Sequence, residues 1–294
     1  MKIDWTKSEL RDAVMIMAGE DECMVKLGSA GGGISIPQLT ETKDRYVVGN
    51  VEIMEDHSAA MMLRCFEEGQ DKEKLYLRFG VLPQFPTRIC LDLQLLDNGT
   101  IYTNRTPGLL KLVCHGQRME REDVAHFELG IEKVFHEVTV RLSHFYTTNT
   151  MPGEFPVPDK KVVDEFGQWK GKEWPGKIHS LEELKESLKA QEGMAEYPFP
   201  AWNRWGGDGN RKLKEGTGFF STLKTSDGRW HLVDPEGCDY FSMGPCGTRI
   251  GDGCRIDGFE TVCDKLPDER DPAWQEFYTE GTLRRTAYME QEHC

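Results

Sequence analysis

No apolar run in this 294-residue chain approaches the roughly 20 residues that a membrane-spanning helix needs. Basic charge is also scarce. The 36 Lys and Arg are outnumbered by 50 Asp and Glu, for a formal charge of -14 at pH 7. Binding to phosphate relies on clustered Lys and Arg, so neither nucleic acid nor an anionic membrane is expected as a partner. The opening residues, MKIDWTKSELRDAVMIMAGEDEC, are too charged and too acidic for a secretory signal, which points to a cytoplasmic protein. They read instead as a short helix of low amphipathicity. Close cysteine pairs are lacking too. The nine cysteines, at 23, 65, 90, 114, 238, 246, 254, 263 and 294, include no CxxC. Cys238, Cys246 and Cys254 recur every eight residues, but zinc ligands usually come as close pairs with histidine nearby. Reduced, buried thiols are the better reading, with no metal and no cofactor expected.

Hydrophobic residues make up 38% of the chain and aromatics 10%, enough for a packed core. Between about Ile34 and Tyr146 the sequence runs in short strand-like stretches: AAMMLRCFEE, KLYLRFGV, RICLDLQLL, GLLKLVCHG and HEVTVRLSHFY. Turn signals separate them, among them GQDKEK, PQFPT, DNGT and NRTPG. Short strands with such punctuation predict an antiparallel sandwich. CLDLQLLDNGT has the alternation of a half-buried strand. Residues 147–178 hold Pro152, Pro156, Pro158 and Pro175. With Phe166, Trp169 and Trp174 among them, they read as a linker pinned to its neighbour. IHSLEELKESLKAQEG predicts a helix, with Ser180 and Glu183 as a capping box and Gly193 at its end. A further helix is expected from Pro272 onward.

The segment from Gly216 to Arg249, GTGFFSTLKTSDGRWHLVDPEGCDYFSMGPCGTR, carries the most information. It predicts three short strands joined by two tight turns, SDGR at 226–229 and DPEG at 234–237. The wording resembles the lead-in to the catalytic barrel of agarase-type glycoside hydrolases of family fifty. The resemblance extends to DEFGQWKGKEWPGKI at 164–178, AWNRWGG at 201–207, NRTPGLLKLVCHGQRMEREDVAHFELGI at 104–131 and GDGCRIDGFETVCDKLPDERDP at 251–272. Cys238 departs from the histidine usual in that family, and Pro245-Cys246 from its small apolar residues. The resemblance implies a mainly β fold with some α: a jelly-roll sandwich like a carbohydrate-binding module, then the opening strands of an incomplete (β/α)8 barrel. The corresponding divisions are an N-terminal extension at 1–30, the sandwich at 31–150, an aromatic linker with a short helix at 151–215, and the start of the barrel at 216–294.

Glycoside hydrolysis normally uses two carboxylates flanking the scissile bond. The resemblance puts that pair on later barrel strands, whereas about 80 residues follow Gly216 and a full barrel takes about 250. No catalytic residue is therefore assigned. Glu236 belongs to a turn, while Asp252 and Asp257 could face a cleft or simply form turns. Sugar binding is the chemistry that the remaining residues suit, since a pyranose ring stacks its apolar face on aromatics and its hydroxyls need polar partners. Trp202, Arg204 and Trp205, with Arg249 beyond the first barrel strand, are the candidate contacts. The same tryptophans could instead glue linker to domain. The expected partner is an oligosaccharide or polysaccharide, a neutral galactan, bound without hydrolysis. The alternative is a hydrolase completed by a second chain or using an unrecognised carboxylate pair. On this reading residues 216–294 are removable without loss of the sandwich.

Overall fold

The computed structural model describes residues 1–97, 106–192, 201–244, 256 and 258–278. The chain divides into two compact units, Met1–Pro175 with Arg255–Cys294, and Gly176–Cys254. In the first unit the strands are β1 (Leu10–Arg11), β2 (Ala13–Ala18), β3 (Glu22–Leu27), β4 (Gly33–Ser35), β5 (Tyr46–Ile53) and β6 (Ala60–Phe66). They continue with β7 (Leu75–Val81), β8 (Thr87–Asp92), β9 (Leu109–Gly116), β10 (His126–Ile131) and β11 (Val138–Thr148). One sheet has the order β1-β4-β10-β6-β7-β9 and the other β2-β3-β11-β5-β8. Every ladder in both is antiparallel.

Alternation builds the core. Val47, Val51 and Ile53 of β5 and Val138, Val140 and Leu142 of β11 bury one face of the five-stranded sheet. Met61, Leu63 and Cys65 of β6 and Phe127, Leu129 and Ile131 of β10 answer from the six-stranded sheet, in one continuous apolar cluster. The predicted N-terminal extension and its helix are not present. Residues 1–30 instead supply β1, β2 and β3, with Ile3, Trp5, Cys23, Val25 and Leu27 in the core. The reason is visible in CMVKL, where every second side chain points inward. β8 also stops earlier than expected, at Asp92. That carboxylate accepts from the Gln94 N–H at 3.0 Å, and a 3-10 turn at Leu93–Asp97 carries Leu93, Leu95 and Leu96 inward.

Polar contacts lock the six-stranded sheet. The side chains of Arg64 and Glu128, each 5% exposed, meet at 2.6 Å, and Arg11 closes on the same carboxylate at 2.6 and 2.8 Å. Gly33 makes room: a Cβ there would stand 2.2 Å from the Glu128 carboxylate. A second apolar cluster joins Phe85, Val162 and Val262, flanked by Val157, Trp169 and Phe259. The linker is thus pinned as expected. Residues 258–264 return to the same place, with Val163 bridging Cys263 and Lys170 paired with Asp264. Residues 216–294 thus contribute Val262 and Phe259 to the packing around Val162 and Phe85.

The second unit begins with α1 (Leu181–Glu192). Ser180 Oγ accepts from the Glu183 N–H at 3.1 Å, and the Glu183 carboxylate reaches back to the His179 N–H at 2.7 Å, so the capping box forms one residue offset. Gly193 lies outside the described residues. Four strands follow: β12 (Gly207–Lys212), β13 (Ser221–Lys224), β14 (Trp230–Val233) and β15 (Cys238–Tyr240), in the order β12-β15-β14-β13 and antiparallel throughout. The three strands and two turns read from the sequence are all there. Of the helix expected after Pro272, the described residues hold a 3-10 turn at Gln275–Phe277. The remainder lies outside them.

Replacing Glu128 by Ala leaves two arginines facing each other with their counter-charge gone. A loss of about 3–5 kcal/mol is expected, read as a lower urea midpoint in equilibrium unfolding.

Candidate functional site

The site is organised by the turn Asp234-Pro235-Glu236-Gly237. Gly237 takes φ +93° and donates to the Asp234 carbonyl at 3.0 Å. The Asp234 side chain, in a residue 1% exposed, accepts from the Glu236 N–H at 2.9 Å and the Cys238 N–H at 2.8 Å. Its other oxygen accepts from Asn203 Nδ2 at 2.5 Å. Asn203 in turn accepts from the N–H groups of Trp205 (3.0 Å) and Gly207 (3.1 Å). Gly207 is obligatory here, because a Cβ would come within 2.1 Å of the Asp234 carboxylate. Burial by itself would raise the Asp234 pKa. The hydrogen bonds from Asn203 and from the backbone of Cys238, Glu236 and Gly237 outweigh it and hold the carboxyl below its ordinary value. Asn203 and Asp234 are 31 residues apart, and together they fix the WNRWGG loop onto the sheet.

Beside that clamp lies a cleft of about 640 Å³, a volume suited to a small ligand. Trp202, Trp230, Tyr240 and Phe241 give it aromatic walls. Its polar side is a linked set: Asp239 accepts from His231 Nδ1 at 3.0 Å and pairs with Arg211 at 2.8 Å. With Nδ1 engaged as donor, Nε2 of a neutral His231 is an acceptor. Asp208 also lines the cleft and stands opposite Asp239 across the β12–β15 ladder.

The sequence candidates separate. Trp202 lines the cleft. Arg204 instead lies over the Trp205 ring at 4.6 Å and reaches Glu236 at 3.5 Å, while Trp205 Nε1 donates to the same carboxylate at 3.1 Å. Phe220 meets Trp205 edge-on at 6.2 Å and packs on Tyr240 at 5.0 Å. Arg249, Asp252 and Asp257 lie outside the described residues, as do Cys246 and Cys254. Sequence reasoning missed Arg211, His231 and Asp239, whose only signal was the alternation that sets them on one sheet.

Five of the described thiols are unsuited to nucleophilic chemistry. Burial pushes Cys23, Cys90 and Cys114 up to about 12, and raises Cys65 and Cys238 as well. Among the described residues no group of three His, Cys, Asp or Glu could hold a metal ion, and no helix is long and apolar enough to cross a membrane.

No protein-family profile matches the chain. Beta-agarase B of Vibrio sp. (strain JT0107) is 39% identical over 106 residues, covering 34% of this chain and 10% of that protein. The chain contains an agarase-type segment. It spans about a tenth of the length of that relative. Among solved structures, the agarase AgWH50C is 21% identical with a TM-score of 0.41, covering 92% of this chain and 44% of that one. A family 11 carbohydrate-binding module from Clostridium thermocellum is 8% identical with a TM-score of 0.31, covering 49% and 85%.

The clamp makes a direct prediction. Asp234→Ala removes the acceptor for three donors, one buried and two part-buried, and about 2–3 kcal/mol of stability should go with it. Because the folded pKa is depressed, the contribution of Asp234 is complete above the unfolded value near 3.9 and is lost as pH falls through the folded value. Acid unfolding followed below about pH 4 should thus be shallower in the variant than in the parent chain.

Proposed function

We propose that this chain is the carbohydrate-binding front part of an agarase-like glycoside hydrolase and holds a neutral galactan, as oligosaccharide or polysaccharide, without cleaving it alone. The observation that carries this reading is the cleft of the Gly176–Cys254 unit. Its aromatic walls can stack on the apolar face of a pyranose, and the Arg211–Asp239–His231 set offers donors and acceptors to its hydroxyls. The agarase named among the relatives supplies the galactan. Trp202 is the stacking surface already read from the sequence, and Arg204 and Trp205 extend the aromatic rim. Arg249 is a further contact proposed on sequence grounds.

The two-sheet unit is read as a jelly-roll module of the carbohydrate-binding kind, supported by its antiparallel sheets around one core. Residues 216–294 are read as the opening of a (β/α)8 barrel whose catalytic carboxylates a second chain would bring. The divisions 151–215 and 216–294 follow from that reading, with residues 1–30 joined to the sandwich. The formal charge of -14 argues against nucleic acid and anionic membranes. The free cysteines, Cys23, Cys65, Cys90, Cys114, Cys238 and Cys263, support a reducing cytoplasm.

Hydrolysis by this chain is a second reading, favoured by the pairing of Asp208 with Asp239 at the cleft. Both oxygens of Asp239 are already engaged, one by His231 at 3.0 Å and the other by Arg211 at 2.8 Å, so the reading is the weaker one.

Titration of intrinsic fluorescence with a neutral agarose oligosaccharide tests the proposal. Trp230, 69% exposed, can be replaced by Ala with little effect on folding. Affinity should fall at least tenfold, about 1.4 kcal/mol, while Trp274→Ala in the other unit leaves it unchanged. Equal affinity in Trp230→Ala and the parent would remove the cleft as the site.

A further inference from the structure

The four-stranded sheet has two edges, and they are treated differently. The outer edge of β12 is occupied: Gly209 N–H donates to the Ala201 carbonyl at 2.8 Å, Trp202 bridges Asp208, and the β12–β15 register shifts between Asp208 and Lys212. Among the described residues β13 has none of these protections. Its register with β14 is regular from Ser221↔Val233 to Lys224↔Trp230, and it holds no proline. Lys224 is its single charge. An edge of this kind is a template for another strand.

The hydrogen-bonding direction along β13 follows from its turn. Thr225 N–H donates to the Arg229 carbonyl at 2.9 Å, so Thr225 turns its backbone groups toward β14. Antiparallel alternation gives Leu223 and Ser221 the same direction and leaves the backbone groups of Phe220, Thr222 and Lys224 pointing outward. The side chains of these three residues are exposed, whereas Ser221 and Leu223 are half-buried.

We propose that β13 is a self-association edge and that its occupant is a second copy of this chain. A two-fold axis at Thr222 pairs all three outward residues with one another. Thr222 meets Thr222 of the other copy, a favourable cross-strand pair, and Lys224, whose ammonium lies 5.9 Å from the Trp230 ring of its own chain, meets Phe220. No like charges stand opposite one another. Shifting the register by two residues in either direction costs a pair. The exposed rings of Phe219 (77%) and Phe220 (53%) flank the edge. With two rings per copy, on the order of 500 Å² of aromatic surface is available to the dimer, well short of the ~1,200 Å² of a stable interface. The dimer is therefore weak and depends on concentration. The resulting sheet has eight strands. One consequence rests on the sugar-binding reading: the two clefts, each centred on β15, would sit on a common sheet about 24 Å apart at ~4.8 Å per strand, so one polysaccharide could engage both.

Sedimentation velocity of the full chain without sugar tests the edge independently of that reading, over about 10 µM to 1 mM. The sedimentation coefficient should rise with concentration in the parent. Thr222→Pro removes only an outward N–H, and Thr222→Lys sets like charges face to face on the axis. Both variants should remain monomeric over the same range, with circular dichroism melts like the parent's. If Thr222→Pro fails to fold, Thr222→Lys decides. A parent that stays monomeric throughout overturns the proposal, and so does a dimer that persists in the folded variants.

Discussion

One buried carboxylate determines whether the second unit has a site at all. Asp234 gathers donors from its own turn and from Asn203 in a distant loop. That loop carries Trp202 into the cleft wall. Without the clamp the WNRWGG segment would have less to hold it against β15, since among the described residues of this unit the buried hydrophobic side chains are Val233 and Cys238. The fixed backbone of the loop comes from satisfied polar groups in place of a core. Such a network is rigid when every member is paired and costly when one is missing.

The first unit is built on the opposite principle. Its two sheets are held by an apolar cluster to which most of their strands contribute, and a charged set, Arg64 with Glu128 and Arg11, is confined to the outer side of one sheet. The difference matters for function. A well-filled core leaves few groups to spare for a ligand, whereas the small sheet leaves Trp230, Leu232 and Phe241 substantially exposed. Exposed aromatics beside a linked polar set are what a sugar site requires, and exposed backbone at β13 is what a strand partner requires. Both follow from a sheet too small to bury its own surface.

Much of this was legible in the sequence where the signals are local. SDGR and DPEG announced their turns because Gly228 and Gly237 supply the positive φ that such turns need. The helix at Leu181–Glu192 followed from its cap, and the pinning of the linker from its aromatics. Long-range pairing was not legible. Nothing in Asn203 names Asp234 as its partner, and Arg211 gives no hint that it will meet Asp239 through a neighbouring strand. The N-terminal strands were missed because charges at both ends of MKIDWTKSELRDAVMIMAGEDEC obscured the alternation of Cys23, Val25 and Leu27. Trp202, Arg204 and Trp205 looked like one constellation in sequence. In space Trp202 faces the cleft, while Arg204 and Trp205 engage each other and Glu236.

The central claim is that the chain holds a neutral galactan and leaves its bonds intact. Saturation-transfer NMR on agarose oligosaccharides mixed with the purified chain, followed for hours with a parallel assay for reducing ends, addresses both halves together. The account predicts transfer to the sugar protons and a constant number of reducing ends. New reducing ends would mean that a working carboxylate pair exists within these 294 residues, and no transfer at all would mean that the cleft does not bind this sugar.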